Sequence, residues 1–230
     1  MPIIHDEEFG KITMRRSARA TQIRLRVAPD GSLRASLPLY APTFLVKRLI
    51  KSSRIELRDM IAQSQPITEY TDGMKIGKSH SLIVRPTDGA VQVTRRGQHI
   101  IVSLPASATL NMPDIMKQIR ATVIASLRIE AKSYLPKRLS FLAQKYGFNY
   151  KKVRFSHASG RWGSCTSEGT ISLNIALMKL PFELIDYVII HELAHTRHMN
   201  HSPEFWNLVS VGDPLYLVHR KLLKLEAPSI

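Results

Sequence analysis

"HELAHTRHMNHSPEFW", residues 191–206, places four histidines and two glutamates within sixteen positions. His191 and His195 are four residues apart, so on an α-helix they stand one turn above the other and can share one metal ion. Glu192 follows the first histidine directly. From there it can reach a water activated by the ion without taking a coordination position, as a general base must. A chance H-E-x-x-H arises in roughly one or two per cent of chains this long, and requiring a histidine at one stated later position lowers that about twenty-fold. The preceding "YVII" (187–190) makes the helix a buried one, and imidazoles facing a core need a partner. A metal supplies one.

A catalytic zinc takes three protein ligands and keeps one position for water. His198 and His201 compete for the third place. His198 lies nearly on the face of the first two, but three ligands on one unbroken helix spread along its axis and match a tetrahedron poorly. His201 requires the helix to end after His195, and Asn200 tolerates the left-handed conformation that closes helices. His201 is the preferred ligand.

Residues around this stretch carry weaker signals. Asn174 ends a strand or supports the site from behind, the structural role being preferred. Glu204 orients a ligand histidine or caps the next helix. Phe205 and Trp206 are expected to pack that helix on the active one rather than bind substrate. Arg161 and Trp162 are candidates for contact with a peptide or an oxyanion. Cys165 has only His157 as a nearby base candidate and is expected to be a non-catalytic thiol. As the sole cysteine it excludes an internal disulfide and a cysteine-rich zinc knuckle.

The 230-residue chain is 44% apolar, a globular composition, and has no run long enough to span a membrane. Its start, "MPIIHDEEFG", lacks the marks of a secretory leader, so a cytoplasmic protein is expected. The formal net charge of +15 is unevenly spread. Residues 11–58 hold twelve Lys/Arg against two Asp/Glu, and residues 117–161 hold eleven against one. Such surfaces attract polyanions, nucleic acid among them, or are simply solvated. Sparse aromatics in both stretches argue against a base-stacking platform.

Period-two alternation in "TQIRLRV" and "SLRASLP" around "APDG" predicts a hairpin over 21–37. A single helix is expected over 42–63, then strands in "HSLIVRP", "AVQVTRR" and "HIIVSLP". The proline-bearing "SLPASATLNMPD" (103–114) is the best boundary, separating a β-rich region with one helix (1–108) from a C-terminal domain (109–230). That domain reads as a helix over 113–146 broken or kinked near Pro136, strands in "KKVRFSHAS" and "GTISLNIAL", and helices from Pro181, from Pro203 and in "PLYLVHRKLLKLE". The class is α+β.

Together, "RWGSCTSEGTISLN" and "LPFELIDYVIIHELAHTRHMNHSPEFW" resemble the YgjP-like metallopeptidase family closely over 150–206. "RSARATQIRLRVAPDGSLRASLP" resembles its strand-rich leader more loosely. The resemblance implies a zincin-like C-terminal domain, its active-site helix packed on a small sheet. It also implies zinc on His191, His195 and His201, Glu192 as catalytic base and a protein or peptide substrate. The family is similar to SprT-type and WLM-type proteases, some of which act on proteins at DNA. The pattern departs from metzincins, since His198 stands where they have glycine and no methionine follows Met199.

The expected reaction is metal-assisted peptide hydrolysis, with substrate extended along an edge strand supplied by "GTISLNIAL". Two rivals remain: a basic module binding nucleic acid or a partner around a structural zinc, and a zinc hydrolase of a non-peptide amide.

Overall fold

A computed structural model describes residues 2–18, 20–27, 32–61 and 69–230, with the backbone of 62–64. The chain is mixed α+β and divides into two compact units, Met1–Thr68 and Glu69–Ile230. No helix among the described residues is long and apolar enough to cross a membrane.

In the first unit, β1 (Ile3–Asp6), β2 (Gly10–Arg16), β3 (Arg24–Val27) and β4 (Leu33–Leu37) form a sheet in the order β1-β2-β4-β3. The expected alternation holds in β4: Leu33, Ala35 and Leu37 are buried with Ile12 and Met14 against helix residues Val46, Ile50 and Leu57. The expected "APDG" turn lies outside the described residues. Two helices replace the one expected, α1 (Thr43–Ser52) and α2 (Arg54–Ser64). The Ser52 hydroxyl donates to the Leu49 carbonyl (3.0 Å), and Ser53 leaves helical geometry at φ −112°, ψ 26°. Serine competes for helix backbone groups in this way. On the outer sheet face Lys11, Arg15, Arg24, Arg26 and Arg34 are all exposed, which is where much of the N-terminal charge goes.

The second unit opens with β5 (Lys75–Ile76), β6 (His80–Pro86), β7 (Gln92–Arg96) and β8 (His99–Leu104), in the order β5-β6-β8-β7 with β6 and β8 parallel. The three strands expected here are present. Helix α3 (Pro113–Lys145) then runs unbroken through Pro136, where a break or kink was expected. Proline forfeits one helical hydrogen bond, but Leu127, Ala131, Leu135 and Leu139 around it are fully buried and hold the helix in place. One continuous core joins Leu82, Ile100 and Val102 of the sheet to Ile119 and Leu127 of α3 and to the residues that follow. The boundary expected at 108/109 therefore falls inside this unit, because the sheet completes its core with α3.

The remainder comprises β9 (Lys152–Ser156), β10 (Gly163–Cys165) and β11 (Thr170–Asn174), a 3₁₀ turn (Ile175–Lys179), α4 (Phe182–Ala194), α5 (Pro203–Gly212) and α6 (Tyr216–Leu223). The sheet order is β10-β11-β9. Strand β10, within "GRWGSCTSEG", was not anticipated, since three residues are too few to show a period.

Glu130 ties α3 to the β5–β6 turn. Its carboxylate accepts from the Lys78 amide (2.7 Å), the Ser79 amide (2.9 Å) and hydroxyl (2.8 Å), and the His80 amide (3.1 Å) and Nδ1 (2.6 Å). Gly77 enters this turn at φ +64°, with no room for a Cβ against Glu130 and Leu127. Burial pushes the Glu130 carboxyl up, but the hydrogen bonds from Lys78, His80 and Ser79 outweigh it, and its pKa lies below the usual glutamate value.

Glu130→Gln should lose about 2–4 kcal/mol in urea unfolding at neutral pH. A depressed carboxyl pKa stabilises fully above the unfolded value of about 4.3, and the contribution drains as pH falls through the folded value. The difference between wild type and variant should therefore narrow below that pH.

Candidate active site

Helix α4 is apolar nearly all round, with Ile185, Val188, Ile189, Ile190, Leu193 and Ala194 buried, and such a helix runs through a core. It ends at Ala194, earlier than expected. The His195 amide still donates to the His191 carbonyl (3.3 Å), and those of Thr196 and Arg197 then donate to Leu193 (3.0 Å) and Ala194 (3.1 Å). Two amides of the last turn thus take three-residue spacing, while that of His198 donates to Ala194 at four-residue spacing (3.0 Å). No non-glycine residue among those described has a positive φ, so Asn200 does not close the helix in the left-handed form expected of it. Ser202 starts α5, its hydroxyl accepting from the Phe205 amide, and Pro203 occupies the first turn.

This path brings His201 back to α4. His191, His195 and His201 each offer a ring nitrogen, and these atoms all lie within 4.8 Å of one another. The Nε2 atoms of His191 and His201 are 3.3 Å apart. Phe205, fully buried, forms the floor, with ring centroids 5.0, 4.5 and 4.8 Å from those of His191, His195 and His201. His195 Nδ1 donates to the His198 carbonyl (3.0 Å), which leaves its Nε2 lone pair free. His198, the rival ligand, contributes that carbonyl; its ring is not part of the cluster.

These residues fit a tetrahedral cation. Zinc–nitrogen bonds of about 2.0–2.1 Å set tetrahedral N–N separations of about 3.3–3.4 Å, the spacing of the His191–His201 pair. Burial, with His195, His201 and Arg220 adding to it, pushes His191 down to about 3. Burial lowers His195 as well. Neutral imidazoles with free lone pairs are what a metal requires.

Glu192 is 5% exposed, and burial pushes its carboxyl up to about 8 against the opposing pull of Arg161. Its Oε2 is buried without a hydrogen-bond partner. Strand β10 presses directly on it: a Cβ added to Gly163 would lie 2.5 Å from Glu192 Oε1 and 2.7 Å from its Cγ. Only glycine permits this approach, a role that the sequence reading missed. Asn174 is fully buried and knots the preceding loop. Its Nδ2 donates to the Ala158 (2.6 Å) and Arg161 (2.9 Å) carbonyls, and its Oδ1 accepts from the Ala176 amide (3.0 Å). It thereby supports Arg161 and β10 from behind.

The remaining candidates separate from the cluster. Cys165 donates to the Thr166 carbonyl, and burial, then Glu192, push its thiol up to about 11, so it stays neutral. His157 Nε2 is buried without a partner and lies outside the histidine cluster. Glu204 bonds Ser202 at the start of α5 and serves that end rather than a ligand ring. Trp162 packs against the core and offers its carbonyl to the Asn174 amide (2.8 Å).

A family model described as YgjP-like, metallopeptidase domain, matches residues 21–226. The chain belongs to the YgjP-like metallopeptidase family. It is thus a metal-dependent peptidase with protein or peptide substrates. Among solved structures, the metallopeptidase zymogen of abylysin from Pyrococcus abyssi is similar at 28% identity, over 39% of this chain and 93% of that one, with a TM-score of 0.36. No curated protein matches.

Gly163→Ala in this YgjP-like metallopeptidase should displace the Glu192 side chain. The expected result is a loss of about 1–3 kcal/mol in thermal or urea unfolding, with peptide cleavage impaired and metal content, measured by atomic emission, unchanged.

Proposed function

We propose that the chain is a zinc peptidase in which His191, His195 and His201 hold the ion and Glu192 is the general base. The observation that carries this reading is the convergence of three imidazole rings next to Glu192, whose carboxyl is buried with Oε2 unpartnered. When bound, zinc supplies a Lewis acid that polarises a peptide carbonyl and activates a water. Glu192, which burial makes a stronger base than an ordinary glutamate, takes in its ionised form the proton of the attacking water and hands it to the leaving amine. Gly163 and the Asn174-knotted loop keep that carboxylate aimed into the site.

The substrate strand expected from "GTISLNIAL" needs correction. Within it β11 is central, hydrogen-bonded to β10 on one side and β9 on the other, and offers no free edge. Strand β10 is the edge. The Trp162 carbonyl and the Thr166 amide bond to the β11 side, so antiparallel alternation turns the N–H and C=O of Gly163 and Cys165 outward. An extended peptide added there runs alongside Glu192. No nucleic-acid partner is part of this reading, which takes the protein to be cytoplasmic.

Wild type should carry one zinc per chain and cleave casein. Glu192→Gln should keep the zinc and lose about 100- to 10,000-fold in cleavage, whereas His201→Ala should lose the zinc. Equal cleavage by wild type and Glu192→Gln would remove Glu192 from the chemistry, and a metal-free wild type would sink the zinc assignment.

Cys165→Pro deletes an outward N–H while leaving the β10–β11 bonds in place. For a peptide on this edge KM should rise about 3- to 10-fold, the worth of one hydrogen bond. An unchanged KM would place the substrate elsewhere.

A further inference from the structure

The three candidate ligands are not held alike. His191 lies within α4, and His195 caps it with its amide bonded to the His191 carbonyl. His201 lies beyond the helix, in a segment whose backbone is loosely anchored. Among the described residues, the amides and carbonyls of Met199, Asn200 and His201 make no hydrogen bond. His201 is also exposed. Its own contacts are made through its ring.

Two aromatic neighbours outside the ligand set touch that ring. Phe205 meets it edge-on, at 4.8 Å and 76°, as it also meets His191 at 79°. Trp206 instead stacks on His201, with centroids 5.5 Å apart and planes 25° from parallel. Trp206 is in turn held from α6. Tyr216 stacks on it at 5.5 Å and 20°, and the Arg220 guanidinium, one turn further along α6, stands 4.6 Å from the ring centroid. Stacked pairs and cation–π contacts at these separations are attractive. A column of side chains thus runs from α6 through Trp206 to His201.

We infer that Trp206, braced by Tyr216 and Arg220, is the positioning residue that holds His201 at the metal position, so that helix α6 governs metal affinity. The inference rests on the three-histidine site proposed above. Residues 215–223 supply none of the three clustered histidines, yet on this reading they decide whether the third ligand is preorganised or must be ordered by the ion. Groups that orient a ligand typically change metal affinity about 10- to 100-fold when removed.

The test is titration of the metal-free full chain with zinc against a competing chelator, and with cobalt followed by its visible absorption. Trp206→Ala should weaken both metals about 10- to 100-fold and alter the cobalt bands, since His201 no longer holds its place. Trp206→Phe keeps a ring over His201 and should restore most of the affinity. Tyr216→Ala should give an intermediate loss. Leu208→Ala, also on α5 and packed against the core, controls for general loosening: it should lower the melting temperature while leaving metal affinity unchanged. Wild-type affinity in Trp206→Ala, or an equal loss in Leu208→Ala, would overturn the inference and leave the metal site standing. Failure of the wild type to bind either metal would overturn the site itself and the inference with it.

Discussion

Buried polar groups need partners, and helix α4 carries more of them than its apolar surroundings can serve. Burial keeps His191 neutral and raises Glu192, and His191 Nδ1 and Glu192 Oε2 both lack hydrogen-bond partners. Three lone-pair donors converging over a phenyl ring make a poor core and a good cation site. The neighbouring structure follows from meeting that demand. The His198 carbonyl sets the tautomer of His195, Phe205 closes the floor, and β10 gives up a side chain at Gly163 so that Glu192 has space.

The small sheet does two tasks at once. Strand β11 is fully paired, and its last residue, Asn174, turns inward to bind two loop carbonyls. That loop delivers Arg161 and β10 to the carboxylate. A buried amide with three hydrogen bonds is costly to replace, because any apolar residue there would leave carbonyls without donors. The edge strand is thus packed against Glu192 and leaves its outer side outside the sheet's own pairing.

Behind the site, α3 links the four-stranded sheet to the catalytic elements through one core, with Glu130 fastening it to the β5–β6 turn. The apparent linker at 103–114 has the prolines and small residues of a domain boundary. It is a surface connection between a sheet and the helix that covers it. Composition reports how a segment is solvated, whereas domain limits depend on which apolar faces meet.

The local features of this protein were legible in its sequence. Alternation placed β3 and β4, turn signals bounded β6, β7 and β8, and Pro181 with the apolar run that follows marked α4, since such local patterns need nothing beyond the chain itself. The spacing of His191, His195 and Glu192 put them on one helix, and "RWGSC…HELAHTRHMNH" carried the family. Features that depend on distant residues were not legible. Ser53 splits one expected helix, while Pro136 fails to split another, whose buried leucines pack it into the core. The edge position of β10, the glycine beside Glu192 and the Tyr216–Trp206–His201 stack each join separate elements of the fold. Spacing determines which side chains share a helix face. Which rings and strands then press upon them is decided by packing across the core, and only the tertiary structure holds that information.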